Sequence, residues 1–389
     1  MFDIAPLALS VILLCITALL LGGCGLAARA AASPPAEAMI FPGRDWVVAT
    51  PESQGMDTER LDRAMQIVAE IAADHPETGA AHAGNTQAVA VRRGRVIWHG
   101  SDIDNLHLVH SCTKSLNSAV FGLLHDDGIC APETKAATIL PALAEHYPQM
   151  TLGHMANLTS GYNIPWRESP FEIRPPLHAP GESLHYNATT TVLNELMTRA
   201  AGSDLKELFR ERIARPIGIP DDAWDWDVAR EVDGMKVYNG GGGMSMTARQ
   251  LARFGHLYLN EGTWDGRAIL SRQWVRLSTS VRVDPAVPPY EDDAWYTHLP
   301  GRYGLNWWVN GRDRDGNLYW PSLPAGSYVA QGNNNNHCFV IPAWEMVVVR
   351  TGQDKPIDSQ LYDKAFAELA NAFIDGTMEE DSRRRQDNR

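Results

Sequence analysis

The stretch Gln87-Ala88-Val89-Ala90-Val91, followed by Arg93-Gly94-Arg95 and then Val96-Ile97-Trp98, reads as a β-hairpin, two short apolar runs joined by a glycine-containing turn. Toward the N-terminus, Met56-Asp57-Thr58-Glu59 opens a helix whose apolar stripe is Leu61, Met65, Val68 and Ile71. Toward the C-terminus, Leu116, Val120, Leu123 and Leu124 recur at helical spacing, and Asp127-Gly128 supplies a stop. Strand signals return only late, over 303–309, 327–330, 337–341 and 346–350, before a closing helix that carries Leu361, Phe366, Leu369 and Phe373. Between about 130 and 300, helices expected over 191–200, 204–214 and 248–260 alternate with Pro- and Gly-rich loops. Strands at both ends with helices between them predict an α+β fold. Its antiparallel sheet is built from both chain ends and carries packed terminal helices, with a mostly helical inserted lobe over about 130–300.

With 389 residues, 44% of them apolar and 21% charged, the chain is long enough to bury a large core. A formal charge of -13 argues against nucleic acid as a partner, because no basic stripe exists to neutralise phosphates. Residues 1–24 read as a targeting signal: an apolar run over 7–21 is too short for a comfortable membrane span and leads into Leu21-Gly22-Gly23-Cys24. That tetrapeptide resembles a bacterial lipoprotein signal with Cys24 as the lipidated residue, although Met1 to Ser10 contains Asp3 and no Lys or Arg. The expected localisation is therefore an exported, membrane-anchored lipoprotein facing the periplasm or cell exterior. Residues 25–45, rich in Ala and Pro, read as a tether, 46–375 as the folded domain and 376–389 as a polar tail. Export would place Cys112, Cys130 and Cys338 in an oxidising compartment, and no cysteine spacing suggests a metal site.

In Leu108-Val109-His110-Ser111-Cys112-Thr113-Lys114-Ser115-Leu116, a serine precedes a lysine by three residues at the start of a helix, so both side chains share one face. That is the geometry of an acyl-transfer nucleophile with its base. Spacing alone cannot choose Ser111, because of the chain's six lysines Lys206 too has a serine, Ser203, at that distance. Ser203 opens the apolar run Leu205, Leu208, Phe209 and Ile213 and reads as a helix cap. Gly240 to Gly243 lacks a following Gly-Lys-Ser/Thr and reads as close backbone packing rather than a phosphate loop. Asp313-Arg314-Asp315-Gly316-Asn317 misplaces its glycine for a calcium loop and reads as a hairpin turn, and the thirteen histidines show no His-Glu-x-x-His. No metal or cofactor is expected. Trp295-Tyr296 and Trp307-Trp308 read as core aromatics that could also line an acyl pocket.

Five stretches in order resemble the serine β-lactamase-like family, which includes class C β-lactamases, penicillin-binding proteins, family esterases and 6-aminohexanoate-oligomer hydrolases. They are Ser111-Cys112-Thr113-Lys114-Ser115; Met150 to Met155 with Thr159-Ser160-Gly161; Pro180-Gly181-Glu182 leading to Tyr186; Gly241 to Met244 with Thr247 to Gly255; and Met346-Val347-Val348-Val349. The resemblance covers nearly the whole chain after the signal and implies a serine hydrolase. It implies that Tyr186 joins Ser111 and Lys114 as the catalytic tyrosine. It further implies an oxyanion and substrate-binding strand in Tyr328-Val329-Ala330-Gln331-Gly332-Asn333, where the N–H groups of Ser111 and Asn333 would be the donors beside Gln331 and Gly332.

Two departures bear on substrate. The β-lactamase tyrosine motif has Asn two residues on, where this chain has Ala188, and the carboxylate-binding lysine of the late strand is replaced by Ala330. A small ester or amide without a required carboxylate is the expected substrate. A β-lactamase or cell-wall D-Ala-type peptidase, and a non-catalytic binding lipoprotein, are the alternatives.

Overall fold

The structure is a computed structural model that describes residues 38–70, 87–165, 168–290, 298–352 and 359–377. The expected signal, Cys24, the stripe residue Ile71, Trp295-Tyr296 and most of the tail lie outside the described residues. In chain order the strands are β1 Val47–Val48, β2 Gln87–Arg92, β3 Arg95–His99, β4 His107–Leu108, β5 Trp224–Trp226, β6 Val228–Val232, β7 Met235–Tyr238, β8 Met244–Met246, β9 Thr263–Trp264, β10 Arg267–Ala268, β11 Trp308–Val309, β12 Tyr328–Gly332, β13 Asn336–Ile341 and β14 Met346–Thr351. The helices are α1 Thr58–Glu70, α2 Cys112–Asp126, α3 Ala136–Ile139, α4 Leu152–Ala156, α5 Thr189–Ala201, α6 Leu205–Phe209, α7 Ala248–Leu259, α8 Arg272–Ser278 and α9 Ser359–Asn371.

The main sheet has seven strands in the order β1-β3-β2-β14-β13-β12-β11. All of its pairings are antiparallel except β1 on β3. The two chain ends meet at its centre, where Gln87 to Arg92 of β2 pair with Thr351 to Met346 of β14. Both strands are buried along their whole length, which is why Met346-Val347-Val348-Val349 reads as an unbroken apolar run rather than an alternating one. Period-two alternation divides that run between two cores. Val89, Val91, Val347 and Val349 join Leu116, Val120, Leu251 and Phe254 from α2 and α7 on one face. Ala88, Ala90, Met346 and Val348 join Leu61, Met65, Tyr362, Phe366 and Leu369 from α1 and α9 on the other. The predicted α+β sheet with terminal helices is thus present, as a helix-sheet-helix sandwich.

α7 lies so close to the sheet that a Cβ at Gly255 would come within 2.7 Å of both Cys338 Sγ and Val347 Cγ1. Gly255→Ala is expected to cost about 1–3 kcal/mol through overpacking, read as a fall in the denaturant midpoint without a change in m.

The region expected to be mostly helical also carries β5 to β10. A two-stranded β6–β7 ribbon turns at Asp233 (φ +52) and Gly234 (φ +75), the Asp-Gly pair that suits a type I′ turn. The strand expected over 303–309 is reduced to β11. Asn306 at φ +62 and the hydrogen bond from Gly304 N to Trp307 O fold that stretch back on itself. The helix expected over 204–214 is α6 continued by a π-helical turn at Arg210–Ala214. Its cap is Asp204, whose carboxylate accepts from Lys206 N and Glu207 N, not Ser203.

Candidate active site

The N-terminus of α2 is built by a strand, a tight turn and a helix. β4 pairs with β8, Val109 N donates to Met244 O at 2.9 Å, and the chain then reverses through His110, which takes φ +48. Ser111 is the residue before α2, half-buried, and Thr113 Oγ1 accepts from Met244 N at 2.9 Å. Every residue from Cys112 to Leu124 is buried, so the lysine one turn on is largely removed from bulk water.

Lys114 is 4% exposed. Its Nζ lies 3.0 Å from Ser111 Oγ and 2.7 Å from Gly241 O, and 4.7 Å from the centre of the Tyr186 ring. Burial outweighs every other influence on this amine and brings its pKa down to about 7. An amine that is substantially neutral at neutral pH keeps a lone pair for the serine proton while donating to Gly241 O. Activity on an ester is therefore expected to rise with pH through a limb centred near 7, with the protonated form inactive. A kcat/KM profile still rising above pH 9 would contradict it.

Gly241 is held in turn. Asn239 Oδ1 accepts from Gly241 N and from Thr191 Oγ1, both at 3.1 Å. A Cβ at Gly240 would meet Thr190 O at 2.4 Å, so the glycine run brings its backbone close to α5, and at Gly241 to Lys114, as expected of close packing.

The second wall is aromatic. The Tyr186 ring contacts Trp308 at 5.8 Å and Tyr303 at 6.4 Å between centroids. The two tryptophans of the 307–308 pair therefore divide: Trp308 faces this wall, while Trp307 packs into the core on Phe254, Tyr258 and Tyr328. Asn187 Nδ2 donates to Tyr162 O, and Asn187 Oδ1 accepts from Thr189 N at the start of α5. The asparagine next to Tyr186 thus serves the scaffold, and Ala188 beyond it is exposed.

The third wall is β12. A Cβ at Gly332 would lie 2.2 Å from Val109 O and about 3 Å from the backbone nitrogens of Cys112 and Ser111. Only glycine admits this approach, and it carries the following residue, Asn333, to the edge of the nucleophile turn. Gly332→Ala is expected to push β12 outward, lowering kcat about 10²-fold and stability by about 1–3 kcal/mol, measured by steady-state kinetics beside a melting curve. Cys112 Sγ sits 3.3 Å from Ala330 O and 3.2 Å from Asn336 O, tying α2 to the same strand pair. Cys112, Cys130 and Cys338 are all buried and free; burial raises each thiol pKa, that of Cys130 to about 12. Alternation along β12 turns Ala330 toward α2 and Gln331 to the opposite face, with Val329. Gln331 Oε1 is buried with no protein partner among the described residues. No group of three or more His, Cys, Asp or Glu side chains suited to a metal occurs among the described residues. Asp313 Oδ1 accepts from Asp315 N and Asn317 N within a hairpin turn.

Ser111, Lys114, Tyr186 and Gly332 therefore meet at one end of α2. Gly241 and Asn333, both named from the sequence, also belong there, together with His110, Asn239 and the rest of the turn up to Asn336, which are not singled out by the sequence. The signal available for them was the pair Asn334-Asn335, whose φ of +59 and +56 fits the asparagine preference of type I′ turns.

Residues 65–372 match the family model described as Beta-lactamase. The 6-aminohexanoate-dimer hydrolase of Paenarthrobacter ureafaciens is 27% identical over 241 residues, which are 54% of this chain and 59% of that protein, so the chain spans less than two thirds of this curated relative. Among solved structures, a penicillin-binding protein homologue from Caulobacter crescentus superposes with a TM-score of 0.62 at 16% identity, covering 82% of this chain and 99% of that one. A family VIII carboxylesterase superposes with a TM-score of 0.60 at 14% identity over 82% and 99%. These two likenesses concern the fold; the family match over most of the sequence carries the assignment, and the chain belongs to the beta-lactamase family of serine hydrolases.

Proposed function

We propose that the chain hydrolyses a small ester or amide through an acyl-enzyme on Ser111. The observation that carries this is the 3.0 Å contact between Ser111 Oγ and a buried amine whose pKa is near 7. Lys114 takes the hydroxyl proton as Oγ attacks the acyl carbon, and Tyr186 passes a proton to the leaving oxygen or nitrogen. The N–H groups of Ser111 and Asn333 receive the oxyanion, the first helped by the positive end of α2. Water then attacks the ester formed on Ser111 and returns the enzyme.

The substrate class rests on two positions. Ala330, fully buried, stands where a carboxylate-binding lysine would be needed, and Asn187 is engaged by Tyr162 and Thr189. An uncharged acyl group fits these better than a β-lactam carboxylate, and the similarity to a 6-aminohexanoate-dimer hydrolase supports a linear amide. The test is a panel of p-nitrophenyl esters, short amides including the 6-aminohexanoate dimer, and nitrocefin. Ester or amide turnover with slow or absent nitrocefin cleavage is expected, and rapid nitrocefin cleavage would favour the β-lactamase reading. A fluorophosphonate should label Ser111, and a folded protein that resists it would overturn the acyl-enzyme. Export with lipidation at Cys24 accompanies this reading, and intact-mass analysis of membrane-extracted protein tests it.

A further inference from the structure

The run Asn333-Asn334-Asn335-Asn336 is braced from behind. Asn335 O accepts from Arg350 Nη1 at 3.0 Å and from Tyr362 Oη at 3.3 Å. Asn336 Nδ2 donates to Asn333 O at 2.7 Å and to Gly352 O at 3.1 Å, while Asn336 Oδ1 accepts from Gly352 N. β14 and α9 thereby fix the rear of the turn. On the side facing the nucleophile, His110 Nε2 meets Asn334 Nδ2 at 3.1 Å.

His110 is placed for that contact at a conformational cost. It directly precedes Ser111 and holds φ +48, in the left-handed region that is uncommon for any residue but glycine and in which asparagine, aspartate and histidine are the more frequent exceptions. A neutral imidazole with its ring proton on Nδ1 presents the Nε2 lone pair to the Asn334 amide, and burial, which lowers the pKa of His110, favours the neutral ring. The contact joins the two turns that carry the two proposed oxyanion donors. We infer that His110 is a positioning residue for the oxyanion pocket: by accepting from Asn334 it sets the separation between the Asn333 and Ser111 N–H groups. This rests on the acyl-enzyme reading above.

Both ends can be removed without straining the backbone. Asparagine tolerates the left-handed region and is too short to reach, so His110→Asn deletes the contact, and glycine suits the turn, so Asn334→Gly deletes it from the other side. The measurements are kcat and KM on p-nitrophenyl acetate and the rate of Ser111 phosphonylation, in the full chain. Each single variant is expected to lose about tenfold in kcat and in phosphonylation rate, with KM within about twofold, because the oxyanion forms only after binding. The double variant is expected to be no slower than the slower single. His110→Gln, whose amide oxygen can accept from Asn334, should regain most of the rate. Unchanged kcat in either single variant, or losses that multiply in the double, would overturn the inference while a labelled, active parent left the acyl-enzyme standing. An unmodified protein that neither turned over ester nor took the label would overturn both.

Discussion

Ser111→Ala is expected to abolish turnover, with kcat falling by about 10⁴-fold or more while the protein keeps its melting temperature within a few degrees. The size follows from the role: without Oγ no acyl-enzyme forms, and only binding and the oxyanion donors remain to assist direct attack by water. Stability should hold because Ser111 is half-buried, its hydroxyl accepts no hydrogen bond from the α2 backbone, and Lys114 keeps Gly241 O as a partner. Once the nucleophile is gone, removing Lys114 as well should cost nothing further, since the two act as one unit. A variant retaining a tenth of parental activity would refute the assignment, and residual product release under fluorophosphonate treatment measures it cleanly.

Lys114→Met should move activity and stability in opposite directions. Activity falls by about 10³-fold or more, because Ser111 at its ordinary pKa has no base within reach. Stability rises. The amine titrates near 7 in the fold and near 10.5 when exposed, so the unfolded chain binds the additional proton between those values. The charge penalty is present in full below about pH 7 and fades as pH climbs toward 10.5, with an upper bound of ~5 kcal/mol at 1.36 kcal/mol per unit. Leaving Gly241 O without its partner returns part of this, so a net gain of about 2–3 kcal/mol is expected at pH 6 and little at pH 10. Denaturant midpoints of parent and variant at the two pH values check the sign, and an equal shift at both would exclude the lysine as its source. The amine that would serve the chemistry is thus held against the stability of the fold.

What the sequence disclosed and what it concealed follow physical lines. The hairpin of β2 and β3, the closing strands β12 to β14 and helices α1, α2, α5, α7 and α9 have patterns set by burial on one or two faces, and those patterns are local. Ser111 and Lys114 show as a pair by type and spacing, and the resemblance singles out that pair and names Tyr186. Gly332 and Asn333 are reached through the resemblance, and the roles of other supporting parts are not: Gly241 contributes a carbonyl and Cys112 a thiol between two carbonyls, neither of which leaves a distinctive residue pattern. Within the Asn333 to Asn336 run two members take left-handed turn positions and a third fastens the loop through its amide, roles that four identical residues do not distinguish. Ser203 was read as the cap one residue early because serine and aspartate serve that role equally well, and only geometry separates them. β6 and β7 are short, β6 has no buried residue and β7 buries only Val237 and Tyr238, so no apolar run announces them.

The central pairing of the main sheet has a temporal consequence. Thr351 Oγ1 donates to Gln87 Oε1 across 264 residues of chain, and the whole β2–β14 ladder closes a loop of that order. Such a contact cannot form until residue 351 has left the ribosome, and its closure entropy must be met before the ladder repays it. The hairpin made early has to wait for its neighbour, and the third wall of the site, at Gly332, arrives with the same late strands. Synthesis therefore delivers the serine first and the pocket that would make it reactive last, so a nascent chain stalled before residue 332 would carry Ser111 without the strand that completes its surroundings.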